Sequence, residues 1–132
     1  MKIKSTWIKD EVFESKQHDH FVRLDGSLKE GFSPKALLLA GLGACSGIDV
    51  VDILKKMRVD FKSFYIETAA DQTEEHPRVF KEIDVIYHIK TDPANEDKVR
   101  KAIELSLDKY CGVSAMLKKN SPIRYILKIE GN

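Results

Sequence analysis

Residues 33–57 read SPKALLLAGLGACSGIDVVDILKKM, and the fold turns on this stretch. Ser33 predicts an N-cap, because its hydroxyl can accept from an unpaired amide of the first helical turn. Pro34 follows at the first helical position, where a missing N–H costs nothing. No charged residue occurs from Ala36 to Ile48. That charge-free run would span roughly 20 Å as a helix, short of a bilayer core of about 30 Å. Its apolar residues fall on every side, which predicts a helix buried all round. Gly41, Gly43 and Gly47 lie inside it, and each weakens a helix by up to about 1 kcal/mol relative to Ala. They predict close approach of another backbone or a local break. Cys45 lies among them and, taken alone, reads as a small buried hydrophobe.

Outward from this helix, a chain of 132 residues suits one domain, taken as residues 1–132, with a real core. One third of the residues are charged, yet the net charge is +1. This excludes a nucleic-acid footprint and an acidic, disordered composition. The Lys55–Lys56 and Lys118–Lys119 pairs fall near predicted helix ends and complement the helix dipole there. The N-terminal MKIKSTWIKDEVF alternates and is charged, which reads as neither a signal nor a transit peptide. A cytoplasmic protein without a membrane span is expected. Two cysteines in that setting are thiols or a redox pair rather than a staple framework. No Cys-x-x-Cys or His-x-x-x-His pair occurs, so neither a metal nor another cofactor is expected. His18 and His20 are read as solvated residues on one face of a strand.

Strands are predicted over residues 2–8, 12–17 and 20–24, with Asp25-Gly26 as a turn. After the helix, residues 59–70 suit a strand, and DQTEEHPR (71–78) a polar loop. Residues 79–90 alternate, with Val79, Ile83, Val85, Tyr87 and Ile89 on one face. These two strands read as an antiparallel hairpin. Asp92-Pro93 opens a second helix on which Val99, Ala102, Ile103, Ser106 and Tyr110 recur at helical spacing. Cys111-Gly112 ends that helix, residues 113–119 form a further turn, and residues 123–129 form a last strand. The order is βββ-α-ββ-α-β, an α+β fold. Six short strands and one further helix are too few to cover the first helix, and its GxG-like face invites a second copy of the chain.

Cys45 and Cys111 are flanked by small residues: Ala44, Ser46 and Gly47 beside one, Gly112 beside the other. Such neighbours leave room for a second thiol or a substrate at sulfur, which suits a nucleophile and a resolving partner. Spacing alone leaves coincidental burial open.

Three features resemble the OsmC/Ohr family of thiol-dependent peroxidases. They are the Pro-led apolar helix SPKALLLAGLGAC, the Cys-x-x-Ser element Cys111-Gly112-Val113-Ser114, and the strand order over nearly the whole chain. The resemblance implies an intertwined homodimer, with sheets completed by both subunits and two central helices in the core. It also implies reduction of organic hydroperoxides in oxidative stress. Cys45 would be peroxidatic, Cys111 resolving, and a dithiol such as a lipoyl group would be the reductant. Family members favour the thiolate with an Arg held by a Glu. Arg23 in FVRLDG resembles that Arg, from its own or the partner subunit, with Asp25 or Glu30 to orient it. The Glu position is Lys35 here, its neighbour is Ala36, and Gly112 stands where the family usually has Pro. Asp49, one turn after Cys45, would disfavour a thiolate on the same face. The alternative expectation is a non-catalytic dimer of this fold that binds a small apolar ligand.

Overall fold

The computed structural model describes residues 1–131. They form two compact units, residues 1–39 and 40 onward.

In the first unit, β1 (Lys4–Lys9), β2 (Val12–Gln17) and β3 (His20–Asp25) make an antiparallel meander. Asp10 (φ 42°) and His18 (φ 55°) turn its two hairpins in the left-handed region, which short polar side chains tolerate better than most. His18 is therefore a turn residue and not, as expected, a strand residue on one face with His20. The Asp25-Gly26 turn goes further than a simple reversal. The buried Asp25 carboxylate accepts from the Ser27 amide (2.8 Å), the Ser27 hydroxyl (2.7 Å) and the Glu30 amide (3.0 Å). These bonds, the Ser27 hydroxyl first, hold its pKa below the ordinary carboxylate value. The loop returns to β3 through a Leu24–Phe32 bridge. Gly31 is required there: a Cβ would lie 2.4 Å from the Arg23 carbonyl oxygen.

Helix α1 runs unbroken from Pro34 to Lys56. The Ser33 hydroxyl accepts from the Ala36 amide at 3.3 Å, as its cap role requires. At the other end Arg58 adopts φ 58°. The Val59 amide bonds the Leu54 carbonyl and the Arg58 amide bonds the Lys55 carbonyl, a Schellman closure. By length and composition alone α1 could cross a membrane, because the charge-free run is only its middle. Within one chain it is not buried all round. Leu42, Ser46, Val50 and Leu54 form one buried stripe, while Leu38 and Ile48 are exposed. The GxG reading also needs correction. Gly43 and Gly47, four apart, face the chain's own Thr68, Ile66 and Phe64 side chains, and only Gly41 is open.

The second sheet has the order β4 (Phe61–Gln72), β5 (Phe80–Thr91), β6 (Ile123–Glu130). β4 and β5 are the expected antiparallel hairpin. β6 is parallel to β5, a pairing that needs a long crossover, here the helical segment between them. Ile83, Val85, Tyr87 and Ile89 are buried as their alternation predicts, but Val79 is exposed and Phe80 is buried instead. The register explains this. Ala70 pairs Ile83 and Gln72 pairs Phe80, so β5 carries one extra residue and its inward phase shifts.

The second predicted helix is three pieces. Asp92 caps a 3-10 turn, Pro93–Asn95, its Oδ1 accepting from the Ala94 amide at 2.9 Å. Helix α2 (Glu96–Leu105) buries Val99, Ala102 and Ile103. A π-helical turn, Ser106–Tyr110, then leads to α3 (Gly112–Lys118). The wider turn leaves Ser106 buried and Tyr110 exposed, so Tyr110 is not the core residue that 3.6-residue spacing predicts.

Candidate functional site

Cys45 lies half-buried on α1, and Cys111 is buried between the π-turn and α3. The π-turn produces that placement. The Cys111 amide reaches back five residues to the Ser106 carbonyl at 2.7 Å, and Cys111 then leaves the helix with ψ 104°. Its sulfur becomes the N-cap of α3, accepting from the Ser114 amide at 3.3 Å. The Leu107 carbonyl, inside the π-turn, accepts from the Ser114 hydroxyl (3.0 Å) and the Lys118 ammonium (2.6 Å). Lys118 thus does more than complement a helix dipole: it ties the end of α3 to the turn that carries Cys111.

Cys45 lies near enough to Cys111 to bear on its ionisation. Burial pushes the Cys111 pKa up. The Ser114 amide opposes this, and the nearby Cys45 adds to the rise. Cys111 therefore holds its proton more firmly than an ordinary thiol.

A buried hydroxyl cluster lies beside the pair. Ser46 Oγ is 2.6 Å from Tyr87 Oη and 2.9 Å from Ser106 Oγ, and Ser106 Oγ donates to Asp49 Oδ2 at 3.0 Å. Ser46, Tyr87 and Ser106 have no exposed surface. Burial, with the nearby charges of Cys111 and Asp49, pushes the Tyr87 pKa up to about 12, against the opposing bond to Ser46. Sequence reasoning missed all three hydroxyls. Two are serines at helical spacing, which read as small filler, and Tyr87 reads as one more inward residue of β5.

Beside α1, an open cavity of about 560 Å³ is lined by Asp49, Asp52, Ile53, Lys56, Met57, Leu105 and Tyr110. Its walls mix apolar side chains with both signs of charge.

Arg23 belongs to the first unit, on β3. It donates to Glu14 at 2.6 Å and to Glu30 at 3.3 Å, and Glu30 also pairs Lys9 at 3.0 Å. Glu30 was one of the two expected partners. Asp25, the other, is spent on its own turn, and Glu14, directly across the strand pair, takes its place. Two carboxylates hold the guanidinium in one orientation.

Residues 25–126 match the sequence model of the family described as "OsmC-like protein". The chain belongs to the OsmC-like family. Protein YhfA of Escherichia coli K12 is 32% identical over 121 residues, 90% of each chain. Among solved structures, a hypothetical protein from Aquifex aeolicus VF5 superposes with a TM-score of 0.89 at 28% identity, over 99% of this chain and 96% of that one. The organic hydroperoxide resistance protein OhrB of Bacillus subtilis superposes with a TM-score of 0.68 at 19% identity, over 97% and 98%. At that identity the likeness to OhrB is one of fold. The α+β fold, with its βββ-α-ββ order and final helix–strand segment, is the OsmC-like one.

Proposed function

We propose that this OsmC-like protein reduces organic hydroperoxides, with Cys45 as the peroxidatic and Cys111 as the resolving thiol. The observation that carries the proposal is the convergence of two cysteines from distant parts of the chain: Ser46, next to Cys45, bonds Ser106 at 2.9 Å, and the Ser106 carbonyl holds the Cys111 amide at 2.7 Å. The Cys45 thiolate attacks the O–O bond of the hydroperoxide. The bond breaks, the alcohol leaves after taking a proton, and Cys45 becomes a sulfenic acid. The Cys111 sulfur then displaces hydroxide, which leaves as water with the thiol proton, and a Cys45–Cys111 disulfide forms. A dithiol such as a lipoyl group returns both cysteines to thiols and is itself oxidised to a disulfide.

In this reading the chain acts as one OsmC-like domain in a cytoplasmic homodimer in which two α1 helices pack together. The exposure of Ile48 supports that arrangement, because a 64% exposed Ile in the charge-free stretch of α1 favours a partner surface. Arg23, oriented by Glu14 and Glu30, favours the Cys45 thiolate from its own or the partner subunit. That pairing replaces the helix-borne Glu whose position Lys35 occupies. No cofactor enters the cycle.

A second reading, a non-catalytic dimer that binds a small apolar ligand in the stress response, is supported by the open cavity beside Ile53, Met57, Leu105 and Tyr110. Cys111→Ser separates the two. The peroxidase reading expects one turnover followed by sulfinic and sulfonic adducts on Cys45, seen by mass spectrometry, where the parent chain stops at the disulfide. Equal, slow oxidation of Cys45 in both proteins favours the binding reading.

A further inference from the structure

The four groups Tyr87, Ser46, Ser106 and Asp49 form one chain of hydrogen bonds, and its direction follows from proton counting. An ionised carboxylate only accepts, so Ser106 donates to Asp49 at 3.0 Å, with the Ser46 carbonyl a longer second acceptor at 3.4 Å. Ser46 must then donate to Ser106, and Tyr87, whose phenol keeps its proton, must donate to Ser46. Asp49 therefore orders every hydroxyl behind it. The chain also bridges the two elements that carry the cysteines. Ser46 adjoins Cys45 on α1, as does Asp49 one turn further on. Ser106 opens the π-turn, and its carbonyl receives the Cys111 amide at 2.7 Å.

We propose that Asp49 is a positioning residue for the redox pair, anchoring the π-turn through Ser106 so that Cys111 is held against Cys45. The inference rests on the proposed Cys45/Cys111 cycle and adds what holds its second step in geometry. A disulfide tolerates a narrow range of Cα separation and torsion, so loosening the Ser106 anchor lowers the effective concentration of one thiol at the other. Asp49 touches neither the peroxide nor the sulfurs in this role, and its carboxylate oxygen matters as an acceptor rather than as a charge.

The test is the thiol–disulfide equilibrium of the full chain in glutathione buffers. Oxidised glutathione takes the two electrons, and two glutathione thiols are released for each Cys45–Cys111 disulfide. Asp49→Ala should lower the equilibrium constant at least fivefold, whereas Asp49→Asn, whose amide oxygen still accepts from Ser106, should stay within twofold of the parent. If Asp49→Ala does not fold, Ser106→Ala is expected to show the same fall. A smaller fall in the Ala variant, or an equal fall in the Asn variant, overturns the proposal. No peroxide is used, so the two claims separate. A parent chain that forms no disulfide refutes the redox cycle itself, whereas a parent that forms it as readily as its Ala variant refutes only the positioning role.

Discussion

The phenol of Tyr87 meets the hydroxyl of Ser46 at 2.6 Å with neither side chain exposed, one residue along α1 from Cys45. A polar contact of this kind is asymmetric in its cost. Removing the phenol takes away one hydrogen bond, worth about 0.5–1.5 kcal/mol, whereas removing Ser46 strands the buried Tyr87 phenol at about 1–3 kcal/mol. Ser46→Ala should therefore lower the urea midpoint more than Tyr87→Phe. The reverse order would mean that the phenol, not the serine, is the hub of the cluster.

Tyr87 also sets an alkaline limit. Its pKa is raised from 10.0 to about 12, chiefly by burial. A group whose folded pKa lies above its unfolded one adds stability that is complete below the unfolded value. That stability is lost as pH rises through the folded value. The loss belonging to Tyr87 thus falls between pH 10 and about 12. Phenolate absorbance should show one of the four tyrosines titrating late, and Tyr87→Phe should flatten the fall of stability across that window. Titration of all four near 10 would contradict this. Cys111, raised mainly by burial from 9.0, adds a loss that begins at lower pH and disappears in Cys111→Ser.

Ile48 tests the assembly. An aspartate there would place a charge in the proposed contact between two α1 helices, where an unpaired buried charge is costly. Ile48→Asp should sediment as a folded species of about half the parent's mass. A parent that sediments as a 15.0 kDa monomer would remove the dimer from the account.

The parts legible in the sequence are those set by local chemistry. Ser33 and Asp92 cap where their hydroxyl and carboxylate predict, and β2 has its expected bounds. Cys111-Gly112 ends a helix as read. Two of the misreadings share one cause, a single residue inserted into a regular period. The extra residue in β5 exchanges Val79 for Phe80 in the core. The π-turn turns Tyr110 outward and Cys111 inward. Neither insertion has a compositional signature, because each is selected by packing from distant chain. The hydroxyl cluster was hidden for the same reason: Ser46, Tyr87 and Ser106 lie far apart in sequence and gain meaning only when the second sheet and α2 close over α1.

The most direct test of the central claim is consumption of cumene hydroperoxide by the fully reduced protein, run beside Cys45→Ser. The account predicts rapid loss of one equivalent of peroxide by the parent, matched by one Cys45–Cys111 disulfide, and no such phase in the variant. A parent rate no faster than that of a free thiol of ordinary pKa, about 8.5, would contradict it.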